Sequence, residues 1–375
     1  MPITVATICE IIEQTAPTSL AENWDNPGLQ IGSDVTVVTG VLTVLDVTEE
    51  CVEYAIEKGY NLIISHHPMF FKGIKSIDVT TLQGKLIETL LCHHISVYSA
   101  HTNMDVAKGG LNDMAAARLG LRNVKGLVET AKSQEYKVVT FVPEKSAGQM
   151  REALLEIGAG QIGYYEGCSF SVRGEGSFRP VAGAHPAFGT IGNSETVTEV
   201  RLEVQVPQAL LQKTLDTIAM KHSYETPVCD VYSLAVSGEK EYIGRIGKLT
   251  TGVDEESFKA LVKKAFPEGR VRFGGAHCGS IDTIALCTGA GVDFMEIAKR
   301  AGAQAYVTGD VKYHDMQQAR ALNLLVADAG HFGTECYVAE GFATLIKDGI
   351  VAAGGNENGV EIENFVGQKD YFFNE

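Results

Sequence analysis

Three short segments of the sequence combine histidine with carboxylate side chains. They are SHHP, with His66 and His67, AHTNMD, with His101 and Asp105, and DAGHFGTE, with Asp328, His331 and Glu335. Zn²⁺ and Mn²⁺ accept this mixture of ligands, whereas a site lined only by oxygen atoms would indicate Mg²⁺ or Ca²⁺. A single histidine after a buried strand is more often a hydrogen-bonded structural residue. The three segments therefore predict a metal site only when they are taken together.

The adjacent histidines His66 and His67 bear on the number of ions. Neighbouring side chains of an extended chain point to opposite sides, so one ion could not easily bind both imidazoles. Two ions, or a turn, would accommodate them better. His331 and Glu335 are four residues apart at a predicted helix start, a spacing that places both on one face of the helix.

Five residues are candidate metal ligands: His66, His67, Asp105, His331 and Glu335. One catalytic zinc needs only three protein ligands and a water, so this set suits two ions if one carboxylate bridges them. Two ions roughly 3.5–4 Å apart can lower the pKa of a shared water and stabilise a developing oxyanion. The implied reaction class is metal-assisted hydrolysis.

Two further histidines could handle protons. His101 lies four residues before Asp105, and it could orient that carboxylate or carry protons near the ions. His314, in TGDVKYHDMQQA, follows a predicted strand and lies beside Asp310 and Asp315. It could contact the substrate or a metal ligand, or it could belong to a helix-capping network.

Alternating helices and strands position the first two segments. TVATICEIIEQTAP and EECVEYAIEKGY, which ends at Gly59, have the apolar spacing of helices, and VTVVTGVLTVLDVT and NLIIS are typical of strands. This alternation predicts an α/β layer with a largely parallel sheet, in which chemistry gathers at the carboxyl ends of the strands. SHHP and HTNMD each follow a predicted strand directly.

The pattern changes between residues 131 and 238. YKVVTFVP predicts a strand, SAGQMREALLEIGA a helix and CSFSVRGEGSFRP a glycine-broken hairpin, and a strand, a helix and a strand follow. This β-α-β, β-α-β order is ferredoxin-like. Strand and helix alternation then returns with IDTIALCTGAG and AYVTGD. We therefore predict an α/β core domain, residues 1–130 and 239–375, that is split by an inserted α+β domain, residues 131–238.

The insert also contains GAGQIG, residues 158–163, which matches the Gly-x-Gly-x-x-Gly fingerprint of dinucleotide sites. That fingerprint requires a strand before it and a helix after it, so that backbone amides at the helix start meet the pyrophosphate. Here a predicted helix comes first and a predicted strand follows. The segment is better explained as a glycine-rich exit from a helix.

Composition excludes several classes of protein. The chain has 375 residues and a formal net charge of −16, which makes an electrostatic grip on nucleic acid or on an anionic membrane unfavourable. No apolar run approaches membrane-spanning length. The first basic residue is Lys58, which argues against a secretory or transit peptide. The eight scattered cysteines form no Cys-x-x-Cys pair and are expected to be buried, reduced thiols in the cytoplasm.

Several longer motifs occur in an order that resembles one known family. They are WDNPGLQIG (24–32), ISHHPMFF (64–71), AHTNMDVAKGGLNDMAA (100–116), YVTGDVKYHD (306–315) and DAGHFGTE (328–335). Together they resemble the dinuclear-metal family of GTP cyclohydrolase I type 2 homologues, also called Nif-three-like proteins. The insert, with GAGQIGYYEGCSF and HSYETPVCDVY, is similar to the PII/CutA-like domain of the longer bacterial members. Two small departures are HSYETP, where members often carry His-Pro-Tyr-Glu-x-Pro, and Phe332, where tyrosine is common.

The resemblance implies roles for the five candidate ligands. His66 and His67 would bind different ions, Asp105 and His331 would bind one each, and Glu335 would bridge two divalent ions per subunit, zinc, manganese or iron. It also implies a homo-oligomer, a toroidal homohexamer whose metal sites face an internal cavity. The family name implies hydrolytic opening of the imidazole ring of GTP at C8 with release of formate, and His101 or His314 would handle protons. The sequence has no Walker-type nucleotide loop.

Two functions of other classes stay open beside this hydrolase. One is a metal-binding regulatory or sensor protein whose insert binds a small effector without turnover. The other is a scaffold that keeps its metal ions for stability alone. Metal-dependent turnover by a protein that also folds without metal would separate the hydrolase from the scaffold, and loss of ligand binding on removal of residues 131–238 would support the sensor.

Overall fold

Two units divide the chain, and its N-terminal and C-terminal segments belong to the same one. The computed structural model describes residues 2–277, 279–355 and 359–372, and the side chains of 131–133 and 236–239 are outside the description. The first unit comprises Met1–Ala131 and Glu241–Glu375, and the second unit comprises Lys132–Lys240. The fold of the first unit is mixed α/β.

The helices and strands are numbered in chain order. The helices are α1 (Val5–Thr15), α2 (Glu49–Lys58), α3 (Leu82–Cys92), α4 (Thr102–Val106), α5 (Leu111–Arg118), α6 (Ala147–Glu156), α7 (Gln208–Lys221), α8 (Glu255–Ala265), α9 (Met295–Arg300), α10 (Tyr313–Ala321), α11 (His331–Glu335) and α12 (Val338–Ala352). The strands are β1 (Gly28–Ile31), β2 (Gly40–Val44), β3 (Leu62–Ser65), β4 (Ser96–Ser99), β5 (Arg122–Pro143), β6 (Ser169–Phe178), β7 (Glu195–Pro207), β8 (Cys229–Val253), β9 (Arg272–Gly275), β10 (Ile281–Leu286), β11 (Ala305–Thr308), β12 (Leu325–Asp328) and β13 (Glu361–Asn364).

One sheet of the first unit has β3 at its centre. Its strand order is β1-β4-β3-β2-β13, in which β4, β3, β2 and β13 are parallel and β1 is antiparallel to β4. Leu62 and Ile64 pack in one apolar cluster with α1 and α12, whereas Ile63 packs in another cluster with α2 and α3. Because both faces are covered, residues 62–64 are all apolar rather than alternating with polar residues, as is typical of a buried parallel strand.

The second sheet of the first unit brings in the C-terminal motifs. Parallel strands β10, β11 and β12 lie side by side, with residues 245–253 of β8 and strand β9 antiparallel at either side. Leu286, Val307 and Ala327 join the same apolar cluster as Leu62 and Phe342. A shared core therefore fixes the carboxyl ends of β3 and β12 within one rigid unit.

Local signals in the sequence explain where helix α2 begins and ends. The Thr48 side chain accepts a hydrogen bond from Cys51 N–H, as expected of an N-cap residue. Gly59 ends the helix with φ of 73°, a left-handed conformation that glycine adopts without strain. The predicted end of this helix at Gly59 is confirmed.

In the second unit the strand order is β6-β7-β5-β8, and β7 is antiparallel to both β5 and β6. Its core includes Val138, Met150, Leu202 and Ile218, which come from β5, α6, β7 and α7. The predicted glycine-broken hairpin at residues 168–180 is wrong, because Ser169–Phe178 forms one continuous strand. Its glycines stay extended there, and Gly176 leaves room for the Glu199 side chain, which a Cβ would meet at 2.1 Å.

The cysteines agree with the sequence prediction only in part. The seven cysteines among the described residues are free, and Cys51 and Cys287 are buried. Cys92 is exposed, so the prediction of burial is wrong for this residue, which follows from its place at the C-terminal end of α3. Cys278 lies outside the described residues. Among the described helices, none is long and apolar enough to cross a membrane.

Candidate metal centre

The five candidate ligands lie at the carboxyl ends of strands in the first unit. His66 and His67 follow β3, Asp105 lies in α4 after β4, and His331 and Glu335 begin and end α11 after β12. The backbone N–H groups of His66 and His67 donate to Val44 O and Leu45 O, so the end of β2 holds this segment. The chain bends there, and the two imidazole rings lie 5.2 Å apart between centroids. The bend therefore lets both adjacent rings face one centre.

Glu335 is the carboxylate that connects the cluster. Its Oε2 lies 3.0 Å from His67 Nε2 and 3.1 Å from His331 Nε2, and 4.0 Å from His66 Nε2. His331 and Glu335 share one face of α11, as their spacing predicts. Two groups result, in which the ligand atoms lie within 4.8 Å of one another: His67, His331 and Glu335, and His66, Asp105 and Glu335. The structure thus contains histidine and carboxylate groups that could bind metal ions.

The other ring nitrogens of these histidines are held by oxygen atoms. His66 Nδ1 lies 2.8 Å from Ala100 O, His67 Nδ1 2.7 Å from Asp46 Oδ1, and His331 Nδ1 2.8 Å from Asp310 Oδ2. An acceptor at Nδ1 fixes the proton on that nitrogen and leaves Nε2 free to bind a metal ion. Three histidines oriented in this way are typical of a metal site.

A buried nitrogen without a hydrogen-bond partner in the described part of the chain also indicates that these residues fit a cation. His66 is fully buried, and its Nε2 has no hydrogen-bond partner among the described residues. Its nearest carboxylate oxygens are 3.7 Å away in Asp105 and 4.0 Å away in Glu335, which is too long for hydrogen bonds. Ligands that bind one Zn²⁺ at about 2 Å are separated by roughly 3–4 Å, so a cation among these three atoms would satisfy the buried nitrogen.

In the metal-free protein, protons on the histidines near Glu335 balance its negative charge. Burial alone would lower the pKa of His67, but hydrogen bonds to Asp46 and Glu335 outweigh it and raise the pKa to about 10. Burial likewise acts against the charge of His331, and its bonds to Glu335 and Asp310 raise the pKa to about 9. Glu335 shows the complementary effect, because His331 and His67 hold its pKa well below the usual range despite burial.

In the group that contains His66 and Asp105, burial shifts both pKa values toward the uncharged forms. Burial raises the pKa of Asp105 to about 7, and the nearby charge of Glu335 adds to the effect. Burial lowers the pKa of His66 to about 3, so its imidazole is neutral at physiological pH. A neutral buried imidazole and a carboxylate that resists ionisation form a site where a divalent cation replaces a proton with little rearrangement.

The two predicted proton-transfer residues differ in placement. His101 precedes α4, and one of its ring nitrogens belongs to a close group with His66 and His67. Its Nδ1 lies 2.9 Å from Asp25 Oδ1, and Asp25 also accepts from the Thr102 backbone and hydroxyl. Burial acts to raise the pKa of Asp25, but the bonds from His101 and Thr102 lower it to about 2.

His314 is not brought to this cluster within the described chain. It is exposed on α10, and its Nδ1 lies 3.5 Å from Gln317 Oε1. It does not line the cleft that contains the ligands. The capping contact at the start of this helix is instead the Asp315 carboxylate, which accepts from Lys312 N–H at 2.8 Å. Its role in proton transfer stays a prediction.

Sequence reasoning missed the carboxylates that hold the histidines. Asp46 and Asp310 were not assigned to this role, although each follows a predicted strand, in VLDVT and in TGD. Asp25 lies in WDNPG and carried no separate signal. Gly289 was also missed: its φ is 62°, and a Cβ there would lie 2.3 Å from Glu335 Oε1. A glycine is needed at this position because the Glu335 carboxylate occupies the space.

A cleft of about 1370 Å³ leads to the ligands. Asp105, His101, His331 and Glu335 line it, and so do the aromatic residues Trp24 and Phe71. Trp24 is 61% exposed and Phe71 is 49% exposed. The cleft is large enough for a drug-sized or nucleotide-sized molecule.

Comparison with known proteins finds relatives over most of the chain. The family model described as Duf34/NIF3 (NGG1p interacting factor 3) matches residues 3–364. A Listeria innocua protein named GTP cyclohydrolase 1 type 2 homolog is 42% identical over 325 residues, which are 86% of each chain. A Bacillus subtilis protein of the same name is 38% identical over 325 residues, 87% of each chain.

Solved structures extend the similarity to the fold. The crystal structure of a Bacillus cereus protein related to NIF3 matches with a TM-score of 0.83 at 36% identity, over 100% of both chains. A Staphylococcus aureus protein matches with a TM-score of 0.73 at 32% identity, over 100% of this chain and 99% of that one.

Proposed function

Because the chain belongs to the Duf34/NIF3 family, as its motifs predicted, we propose that it is a dinuclear metal-dependent hydrolase acting on a nucleotide-like heterocycle, with GTP as the first candidate. The observation that carries the proposal is the position of Glu335. Its carboxylate belongs to both groups of close ligand atoms, the one with His67 and His331 and the one with His66 and Asp105. A carboxylate shared in this way supports a pair of ions rather than one.

Each ion would have its own ligands. His67 and His331 would hold one, His66 and Asp105 would hold the other, and Glu335 would bridge them. When bound, a pair of divalent ions supplies Lewis acidity, a lowered pKa for water and stabilisation of developing negative charge. Zinc, manganese and iron all suit the mixture of imidazole and carboxylate.

His101 is the proton-transfer residue that the geometry favours. Asp25 Oδ1 lies 2.9 Å from His101 Nδ1, and this contact orients the ring beside the ligand cluster. An imidazole fixed by a carboxylate in this way can accept a proton from an attacking water and return it to the leaving nitrogen. Thr102 holds the same Asp25 by its backbone N–H at 3.0 Å, so the carboxylate has little freedom to turn away.

The aromatic residues of the cleft support a planar substrate. The Trp24 and Phe71 rings both present edge-on contacts to His101, with centroids 5.9 Å and 5.6 Å away. Exposed aromatic rings beside a reactive histidine offer faces on which a heterocyclic base can stack, an interaction worth roughly 1–3 kcal/mol per base in proteins that bind single strands. Guanine meets this requirement, and its imidazole ring is the group that the reaction would open.

The direct test is formate release from GTP. The purified protein is stripped of metal, reloaded separately with Zn²⁺, Mn²⁺ and Fe²⁺, and compared with Glu335→Ala. Formate that appears with metal and disappears in the variant would support the cyclohydrolase reaction at this centre. Two bound ions without formate would retain the metal centre, exclude GTP and direct the search to other heterocycles.

Other parts of the proposal concern the whole molecule. The strand order β6-β7-β5-β8 with helices α6 and α7 supports a ferredoxin-like, PII/CutA-like insert. A toroidal homohexamer stays a prediction, and light scattering tests it. The exposed apolar side chains Ile74, Ile77, Val79 and Leu82 support some form of self-association. Free cysteines support a cytoplasmic location.

A further inference from the structure

The second unit contains a cavity of about 370 Å³ that the proposed hydrolase does not use. Aromatic side chains of Phe141, Phe178, Phe188 and Tyr224 line it, together with the carboxylate of Glu199. Its volume lies within the range of small-molecule sites, and its lining is mostly apolar with a few polar groups, as such sites usually are.

Glu199 is the polar group that decides what this cavity can hold. The residue is only 8% exposed, and its Oε1 accepts a hydrogen bond from Tyr224 Oη at 2.7 Å. No lysine or arginine among the described residues forms an ion pair with it. A largely buried carboxylate held by one neutral donor keeps free acceptor sites, and it gains most from a cationic donor.

The aromatic walls are arranged around Tyr224. Phe178 and Phe188 lie with ring centroids 6.1 Å and 6.0 Å from the Tyr224 ring, and the Phe188 ring meets it edge-on at 83°. Aromatic faces attract an ammonium or guanidinium group through their quadrupole and also pack against an apolar body. The combination of aromatic walls and a buried carboxylate is a chemistry that selects organic cations.

The segment that follows β6 lines the cavity and is anchored by hydrogen bonds. His185 N–H donates to both carboxylate oxygens of Glu225, at 3.0 and 3.1 Å, and Gly192 N–H donates to Pro180 O at 2.8 Å. Glu225 is exposed and contacts this backbone, whereas Glu199 is the buried carboxylate of the lining. The cavity is preformed, so a ligand would not have to order the segment on binding.

Other ligand classes fit less well. A phosphate or carboxylate would meet Glu199 without a buried positive partner, because Arg179, the one basic residue of the lining, is exposed. A neutral apolar molecule would exclude water from Glu199 and leave its charge uncompensated. Among the described residues, Glu199 and Glu225 do not belong to a group of three close metal-ligating atoms.

We propose that this cavity of the second unit is a binding site for a small organic cation with an apolar or aromatic body, bound through its ammonium group to Glu199. The proposal is independent of the hydrolase reaction. It supplies a ligand chemistry for a regulatory function of the insert.

The test is calorimetric titration of the full-length, metal-loaded protein with benzylamine, and with benzyl alcohol and benzoate as the neutral and anionic counterparts. We expect benzylamine to bind and the two counterparts to bind at least about tenfold more weakly, since hydrogen bonds between charged groups are stronger than those of neutral groups. Equal binding of benzyl alcohol or benzoate, or no binding of benzylamine, would overturn the proposal.

Variants locate the site. Glu199→Gln keeps the shape and the acceptor for Tyr224 but removes the charge, and it should weaken benzylamine binding about tenfold or more. Phe188→Ala, at a residue that is 42% exposed and outside the core, should weaken it severalfold without loss of folding. The matched control is Glu175→Gln, which removes one charge from an exposed residue of β6 in the same sheet and should leave binding unchanged. Unchanged binding in Glu199→Gln would place the amine elsewhere and refute the assignment.

Discussion

Replacement of Glu335 is the sharpest test of the candidate metal centre. In the structure the Glu335 carboxylate lies 3.0 Å from His67 Nε2, 3.1 Å from His331 Nε2 and 4.0 Å from His66 Nε2. If it bridges two ions, Glu335→Ala removes one ligand from each of them at once. His66→Ala removes a ligand from one ion only. The two variants should therefore differ in metal stoichiometry and not only in affinity.

The expected loss of metal affinity follows from the contribution of a single ligand. Loss of an outer partner that merely holds a ligand typically costs 10–100-fold in metal affinity. Loss of the ligand itself should cost each ion at least about 100-fold, or about 2.8 kcal/mol. We expect Glu335→Ala to retain neither ion after dialysis, whereas His66→Ala should retain about one per subunit.

The assay is elemental analysis of dialysed protein, with circular dichroism to show that each variant is folded. Glu340→Gln is the matched control, because this residue is exposed, lies five positions later in α12 and should bind metal as the parent protein does. Unchanged metal content in Glu335→Ala would refute the bridging assignment. Loss of one ion only would show that Glu335 belongs to a single site.

Three further predictions test the surroundings of the centre. Asp310→Asn removes the carboxylate 2.8 Å from His331 Nδ1 and should weaken the binding of one ion roughly 10–100-fold. Competition with a chelating dye measures the affinity, and Asp315→Asn on α10 is the control. Metal binding at pH 8 should release about two protons per subunit, because ligation requires neutral imidazole and the pKa values of His67 and His331 are raised to about 10 and about 9 in the metal-free protein. Calorimetry in buffers of different ionisation enthalpy counts the released protons. Release of none would contradict the charge balance described for the metal-free protein. The metal affinity should accordingly rise with pH until the pH exceeds these pKa values. Trp24 is the only tryptophan of the chain, so stacking of guanosine in the cleft should quench its emission, whereas ribose 5-phosphate should not; equal effects of both would argue against stacking.

Much of the centre could be predicted from short-range patterns. The spacing of His331 and Glu335 predicted one helix face, and α11 confirms it with 3.1 Å between His331 Nε2 and Glu335 Oε2. Position directly after a strand predicted that SHHP and HTNMD lie at one edge of a sheet, and β3 and β4 are parallel neighbours. These relations depend only on helical and strand periodicity.

Patterns were less informative where glycine allowed two conformations. CSFSVRGEGSFRP predicted a hairpin because glycine is typical of turns, but pairing with β7 over Ser169–Phe178 keeps the segment extended. A partner strand decided the conformation, and the segment alone does not specify that partner.

The sequence by itself therefore determined the candidate ligands, their placement at strand ends and the family to which the chain belongs. Only the tertiary structure decided which oxygen holds each imidazole: Ala100 O for His66, Asp46 for His67 and Asp310 for His331. It also decided that Glu335 approaches the ligands of both groups, across 268 positions of sequence from His67. Such contacts arise because a shared apolar core fixes distant strands at set distances, and local periodicity carries no information about that packing.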